Sequence, residues 1–265
     1  MPTIRFTNVQ DLLKVVRQVQ GDFLIVKKVP PADFERLCSR EKRPCRIRRY
    51  HANQGLLILT IPTCLHETLH LELWNLYRDK LVRKNQDRGW RPIGSTTFRP
   101  RGHPEGDVGE GDSSGCPRPV RSSPGSWPTL VIEAGDSESL SALRDDMRWW
   151  FLASDHDVKI VLLAKFDHGN QRIIIERWEE ELQIRQGATN TRRSTNGNTF
   201  QPVLRQSIAI IRDITTNSYH VTSGALVLSF RLLFLRGPGP QEGDFIISVP
   251  ELATYARNVW ERVED

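Results

Sequence analysis

The chain has 265 residues, of which 38% are hydrophobic and 26% charged, a balance typical of a folded protein rather than a disordered one. Its longest apolar run, residues 224–235, is interrupted by Arg231 and is too short to cross a bilayer, which excludes a transmembrane helix there. The first residues lack the apolar stretch of a secretory signal and the four cysteines form no CxxC pair. We therefore expect an intracellular protein, nuclear or cytoplasmic, without a disulfide scaffold.

The formal net charge is +5, but the basic excess is uneven along the chain. Residues 35–101 carry 15 basic and 6 acidic side chains, so the remainder is net acidic. A basic face attracts polyanions, and we expect nucleic acid as a partner and no membrane. The alternative is an ordinary solvated surface. Apart from Arg36, the basic positions are Arg40, Lys42, Arg43, Arg46, Arg48, Arg49, Arg78, Lys80, Arg83, Lys84, Arg88, Arg91, Arg99 and Arg101.

The first half of the chain predicts strands around one long helix. Leu65, Leu69 and Leu73 recur at helical spacing and predict a helix over 63–84, with Thr63 as its N-cap. Residues 100–125 are rich in Gly, Pro and Ser without periodicity and predict a long loop. Runs bounded by turn residues predict strands at 23–29, 46–50, 56–61 and 90–99.

The second half begins with a buried strand at 127–135 (WPTLVIEAG) that carries one carboxylate, Glu133. A helix at 139–153 follows, then an apolar strand at 158–166 and a hairpin partner at 171–179, which together make a βαββ unit. The remaining predicted elements are strands at 203–214, 224–235 and 244–249 and a closing helix at 250–263.

These elements predict an α/β (α+β) fold with a mixed central sheet flanked by helices. We expect a core over 1–182, a polar linker over 183–200, and a C-terminal extension over 201–265 that packs on the core as a β-hairpin and a helix. An exposed edge of that hairpin is suited to pairing between two chains, which favours a homodimer.

Two acidic residues stand out by their positions. Asp112 lies towards the end of the predicted loop, and Glu133 lies inside an apolar strand, where an unpaired charge is costly. Two such acids on neighbouring strands are suited to Mg²⁺, which takes one or two carboxylates and completes its shell with water and substrate phosphate. The alternative is an ion pair between Glu133 and Arg144 or Arg148 of the following helix.

The order of these elements and the motif Gly111-Asp112-Ser-Ser, followed by Trp127-Pro-Thr-Leu-Val-Ile-Glu133-Ala-Gly135, resemble the PD-(D/E)XK restriction-endonuclease-like superfamily. The match over roughly residues 20–180 is similar to its compact endonuclease branch, in which a lysine is displaced onto the next helix, and to uncharacterised fungal-type relatives. The resemblance implies that Asp112 and Glu133 hold Mg²⁺ or Mn²⁺, which activates water for attack on a nucleic-acid phosphodiester. It also implies an added acid from the first helix, for which Glu67 is the candidate.

Two departures from the family pattern bear on catalysis. Gly111 replaces proline, and Gly135 stands where the family has its lysine. The displaced position is matched by Arg148, with Arg144 as the other candidate. Arginine stabilises charge on a phosphate but does not act as a base, so hydrolysis is expected to be weakened. The alternative is a non-enzymatic module on the same fold that binds nucleic acid or protein.

The predicted helix also carries a literal HExxH motif, His66-Glu67-Thr-Leu-His70. In zinc peptidases two histidines at this spacing bind Zn²⁺ and the glutamate serves as general base. The opposing interpretation is that both histidines border the apolar face of an ordinary amphipathic helix. A zinc peptidase is therefore a third functional hypothesis.

Overall fold

The computed structural model describes residues 2–40, 42–94, 96–100, 106–184 and 198–263. It has a mixed α+β architecture of sheets flanked by helices, which confirms the predicted fold class. The strands are β1 (Thr3–Arg5), β2 (Phe23–Lys27), β3 (Arg46–His51), β4 (Leu56–Thr60), β5 (Trp90–Pro92), β6 (Thr97–Phe98), β7 (Val108–Glu110), β8 (Ser113–Pro117), β9 (Leu130–Gly135), β10 (Ile160–Asp167), β11 (Arg172–Ile184), β12 (Asn198–Asp213), β13 (Ser218–Val221), β14 (Leu226–Leu228) and β15 (Phe245–Ile247). The helices are α1 (Val9–Val16), α2 (Pro31–Cys38), α3 (Cys64–Arg83), α4 (Leu140–Ala153), α5 (Phe230–Phe234) and α6 (Val249–Glu261).

The N-terminal sheet has the strand order β1-β2-β4-β3-β7-β6 among the described residues. β1 and β2 are parallel and the other neighbours antiparallel. Side chains of α1 and α2, including Leu12, Leu13 and Phe34, pack with Leu24 and Leu57 of the sheet in one apolar cluster. These short elements thus fold as a layer of their own beside the rest of the chain.

The central sheet has the order β13-β12-β11-β10-β9-β8-β5 in the described part of the chain. β9 and β10 are parallel, as the βαββ prediction requires, and α4 connects them. Ile132 and Ala134 of β9 share a cluster with the leucines of α3, whereas Val131 packs with Leu143 of α4. Because successive strand residues point to opposite faces, α3 and α4 cover opposite sides of β9.

The segment predicted as a C-terminal extension contributes to the same sheet and core. β12 pairs with β11 along the length of both strands, and Tyr255 of α6 donates a hydrogen bond to the Leu69 carbonyl of α3 at 3.0 Å. Of the predicted linker, residues 185–197 lie outside the described residues, and the rest belongs to the ends of β11 and β12. The predicted strand at 224–235 is instead β14 followed by the short helix α5.

The loop predicted at 100–125 is wrong for its central part, which forms the buried strands β7 and β8. Its glycines meet a packing need rather than a need for flexibility. A Cβ at Gly109 would lie 2.6 Å from the Trp149 ring, and one at Gly115 would lie 2.5 Å from Nε1 of Trp90. Small residues that let tryptophans approach a strand therefore produce the same composition as a loop.

No helix within the described ranges combines the length and apolar character that crossing a bilayer requires.

Candidate functional site

Asp112 lies where the chain passes from one sheet to the other. β7 belongs to the N-terminal sheet and β8 to the central sheet, and Asp112 connects them. Its side chain is buried and its Oδ2 accepts a hydrogen bond from the Ala134 amide at 2.9 Å. The antiparallel register pairs Ser113 with Ile132. Asp112, the residue before Ser113, therefore lies opposite Glu133, the residue after Ile132. The structure thus places Glu133 on β9 and Asp112 immediately before the adjoining strand β8.

Two histidines of α3 face Asp112. Nε2 of His66 is 3.2 Å from Asp112 Oδ1, and its Nδ1 is 3.0 Å from Asp22 Oδ2. Nδ1 of His70 is 2.9 Å from the Ser113 hydroxyl. Both rings are buried, because His66 and His70 lie one helical turn apart beside the buried leucines of α3. The HExxH histidines therefore lie against the connection between β7 and β8, and not on a free surface of the helix.

Arg46 and Glu67 complete the group, and their partly exposed side chains connect it to the protein surface. Arg46 Nη2 is 2.6 Å from Glu67 Oε2, and Arg46 Nη1 is 3.4 Å from both Asp112 Oδ1 and His70 Nε2. The side chains of Arg46 and Glu67 are 21% and 27% exposed, whereas the other three are almost fully buried. We call His66, Glu67, His70, Asp112 and Arg46 the Asp112 cluster.

Attraction between the acidic and basic side chains of this cluster shifts their pKa values. Burial alone would raise the pKa of Asp112, but the charges of His66, His70 and Arg48 hold it well below its ordinary value. Burial would likewise lower the pKa of His66, but Asp112 and Asp22 raise it to about 10. At neutral pH the cluster thus holds an ionised carboxylate against a protonated imidazole.

Glu133 points away from the Asp112 cluster. It is fully buried on the α4 side of β9, where Trp150 Nε1 donates a hydrogen bond to its Oε1 and Arg49 Nη2 lies 3.4 Å away. Its Oε2 has no hydrogen-bond partner among the described residues. Burial, then the charge of Asp112, raises its pKa to about 7. Because Glu67 belongs to the helix on the opposite face, Glu67, Asp112 and Glu133 do not meet at one point.

Two arginines beside Glu133, Arg48 and Arg49, are buried, whereas the charge pattern predicts them on a basic surface. The register of β3 shifts between Ile47 and Arg49, so that Arg48 and Arg49 both turn inward. Asp146 of α4 binds both, through Arg48 Nε and, at 3.0 Å, Arg49 Nε. The signal available in the sequence was an acid at an inward position of the amphipathic α4.

Arg144 and Arg148 do not approach Glu133. Arg144 forms an ion pair with Glu176 of β11, and Arg148 pairs with Asp145 at 2.6 Å on the exposed side of α4. Leu143, Met147 and Trp150 fill the buried face of α4 instead. The prediction that one of these arginines takes the displaced lysine's place beside Glu133 is therefore corrected, as is the alternative ion pair with Glu133.

The position of the family's lysine is closed by packing. A Cβ at Gly135 would lie 3.0 Å from Cδ1 of Leu143, so α4 lies directly over this glycine. We expect Gly135→Lys to lower the free energy of unfolding by about 1–3 kcal/mol through overpacking, and to add no cleavage activity. Urea unfolding and a plasmid cleavage assay measure the two effects.

The matched control is Gly169→Lys, because Gly169 lies in an exposed turn where the nearest atom to an added Cβ is 3.6 Å away. This variant should keep wild-type stability. Faster cleavage by Gly135→Lys than by wild type would show that the lysine position is usable.

Several side chains of the basic run are paired with acids of this chain. Arg43 binds Glu110 and Arg99 binds Glu35, each at 2.9 Å, and Lys80 binds Glu251 at 2.7 Å. Arg101 lies outside the described residues. The basic side chains classed as exposed in the described part of the run are Arg36, Arg40, Lys42, Arg78, Arg83 and Arg88.

The Asp112 cluster has the donor atoms of a metal centre. One potential ligand atom each from His66, Glu67 and His70 lies within 4.8 Å of the other two, and within the described ranges no other group of three meets this criterion. His66 Nε2 and Glu67 Oε1 are buried without a hydrogen-bond partner of acceptable geometry among the described residues. Imidazole and carboxylate atoms that converge this closely fit a divalent cation.

No protein-family model and no curated protein matches the chain. Among solved structures it is similar to a crystal structure from Anabaena variabilis described as "a putative nuclease belonging to DUF820". The two share 15% sequence identity and a TM-score of 0.38, over 57% of this chain and 80% of the other.

Proposed function

We propose that the chain is a nuclease-like hydrolase that cleaves nucleic-acid phosphodiesters at the Asp112 cluster with the help of one divalent cation. The observation that carries the proposal is the convergence of ligand-type atoms from His66, Glu67 and His70 beside Asp112, at a point that reaches solvent through Arg46 and Glu67. A hydrolytic centre needs such an opening, since both water and substrate must reach it.

Each side chain of the cluster has a role that follows from its position. Asp112 and Glu67 would hold the cation, with the histidines next to them. A bound divalent cation lowers the pKa of coordinated water and offsets charge on the phosphate. Burial would raise the pKa of Glu67, but His70 and Arg46 lower it, so its carboxylate is ionised at neutral pH and can accept a proton from water. The guanidinium of Arg46, whose side chain is 21% exposed, is suited to phosphate oxygens.

The exposed basic residues support a polyanionic substrate. Arg78, Arg83 and Arg88 lie along the second half of α3 and the turn after it. Contacts of this kind with phosphate make binding weaken as salt rises. We propose DNA, rather than RNA, as the first substrate to test.

The test is cleavage of plasmid and single-stranded DNA and of RNA with Mg²⁺ or Mn²⁺, comparing wild type with Glu67→Gln. Glutamine keeps the size of the side chain but loses the proton acceptor, so we expect cleavage to fall by about 100-fold or more. Asp79→Asn, an exposed acid on the same helix, is the control and should cleave as wild type does. Equal cleavage by Glu67→Gln and wild type, or no cleavage by wild type with either cation, contradicts the proposal.

A second candidate is a module that binds nucleic acid without cleaving it. It is favoured by the filled lysine position at Gly135 and by the burial of Asp112 and Glu133 against cationic side chains of the same chain. Binding that weakens with salt, measured without any cleavage in the same assay, supports this candidate over the first.

A further inference from the structure

We infer that His66, Glu67 and His70 form a site for one transition-metal ion, Mn²⁺ or Zn²⁺ rather than Mg²⁺, with Asp112 beside it, and that the Arg46 guanidinium occupies this site until the metal displaces it. The inference deepens the proposed function and rests on it for the place of the metal in hydrolysis. The binding of the metal itself follows from four features of the cluster.

The first feature is the orientation of the two imidazoles. His66 presents Nδ1 to Asp22 at 3.0 Å, and His70 presents Nδ1 to the Ser113 hydroxyl at 2.9 Å. Partners of this kind on one ring nitrogen fix the orientation of a metal-binding histidine and free its other nitrogen for the metal. In both rings the remaining nitrogen, Nε2, is the one near the cluster centre, and the metal would replace the proton that His66 Nε2 holds against Asp112, releasing it to water.

The second feature is that Asp22 is itself held firmly. Its carboxylate accepts hydrogen bonds from the amides of Asp136 at 2.8 Å and Ser137 at 2.9 Å, and from the Ser137 hydroxyl. Asp22 thus connects the loop after β9 to His66 and leaves that ring little freedom to turn. A carboxylate–histidine pair this constrained is typical of the outer shell of a metal site.

The third feature is the position of Arg46. Its Nη1 is 3.4 Å from both Asp112 Oδ1 and His70 Nε2, and its Nη2 is 2.6 Å from Glu67. A positive charge is thus already placed at the centre of two carboxylates and two imidazoles. Because Arg46 is 21% exposed and its side chain is long, the guanidinium can leave toward solvent without disturbing the buried donors.

The fourth feature is the chemistry of the donors. Imidazole nitrogen suits Zn²⁺ and also binds Mn²⁺ alongside carboxylates, whereas Mg²⁺ requires an almost purely oxygen shell with several waters. His66 is fully buried and His70 nearly so, which leaves little room for that water. The donor set therefore selects a transition metal.

The test measures metal binding to the full chain, stripped with a chelator, by isothermal titration with Mn²⁺, Zn²⁺ and Mg²⁺ and by elemental analysis. We expect one ion per chain and an affinity for Zn²⁺ about 100-fold or more above that for Mg²⁺. His70→Gln should weaken Zn²⁺ binding by about 10- to 100-fold or more. His168→Gln changes an exposed histidine that pairs with Asp136 and should bind as wild type does.

Arg46→Met gives an independent test, because it removes the competing cation and keeps the length of the side chain. We expect it to bind Zn²⁺ about tenfold more tightly than wild type, since the metal no longer displaces a charge. Unchanged or weaker binding by Arg46→Met, unchanged binding by His70→Gln, or equal affinity for Mg²⁺ overturns the inference. If His70→Gln fails to fold, the Arg46→Met result and the preference of wild type among metals decide it.

The two proposals can fail separately. Zn²⁺ binding that depends on His70, without cleavage of any nucleic acid, keeps the metal site and removes the proposed hydrolase. Cleavage with Mg²⁺ that survives His70→Gln keeps the hydrolase and removes the two-histidine site.

Discussion

Replacing Asp146 by alanine is expected to lower the free energy of unfolding by about 3–5 kcal/mol, because it removes the shared partner of two buried arginines. Both Arg48 and Arg49 are almost fully buried, and each contacts the Asp146 carboxylate through its Nε. Arg48 would keep Glu138 at 2.7 Å, but Glu133, at 3.4 Å, would be the one acidic partner left to Arg49 among the described residues. An uncompensated guanidinium would then remain in the interior.

The neighbouring acid provides the control for this prediction. The Asp145 side chain is 72% exposed and pairs only with the exposed Arg148 in the described part of the chain. Asp145→Ala should change stability by no more than about 0.5 kcal/mol, as exposed ion pairs contribute little. Urea unfolding followed by tryptophan fluorescence measures both variants. If the two substitutions cost the same, the buried arginines are stabilised mainly by contacts other than Asp146.

The burial of Arg48 and Arg49 against Asp146 could not be predicted from the residue pattern of β3. Strict alternation in β3 would place Arg48 and Arg49 on opposite faces of the sheet. Their charge, in turn, favours a position at the protein surface. The register shift after Ile47 breaks that alternation and brings both guanidinium groups inside. A one-residue irregularity of this kind is created by pairing with β4 and leaves no local mark in the sequence.

The long helices and strands could be predicted from the sequence, because the burial of a helix face or of a whole strand leaves a regular apolar pattern in that segment alone. The leucine spacing of α3 and the apolar runs of β9 and β10 each identify an element within a few residues of its observed bounds. The segment around Asp112 could not be predicted, since its glycines serve the packing of Trp149 and Trp90, which come from other parts of the chain.

The same distinction applies to the candidate site. His66, Glu67, His70 and Asp112 could be named from motifs, and they lie together. Their partner Asp22 is 44 positions before His66 in the chain, and only tertiary folding brings them into contact. Glu133 was grouped with the cluster by its motif, but the alternation of β9 directs it to α4, on the other face.

The stability of the protein should fall as pH rises from about 5 to 9, and Glu138 should account for part of that loss. Burial, opposed by Arg48 and reinforced by Asp146, Glu133 and Asp22, raises the pKa of Glu138 to about 8. In the unfolded chain the carboxyl has its ordinary pKa of 4.5. Between these values the native state holds the proton that the unfolded state has lost, so the stabilisation is complete below pH 4.5 and disappears as pH passes 8.

Glu138→Gln cannot lose that proton, so its stability relative to wild type should improve by about 2–4 kcal/mol between pH 5 and pH 9. Urea unfolding of both proteins at each pH gives this difference, from which the contributions of other titrating groups, such as Glu133 and His66, cancel to first order. Glu181→Gln neutralises an exposed carboxyl, 56% accessible, and should follow the pH dependence of wild type. If the stability of Glu138→Gln runs parallel to wild type over this range, the carboxylate of Glu138 is ionised throughout, and the ion pair with Arg48 outweighs the cost of burial.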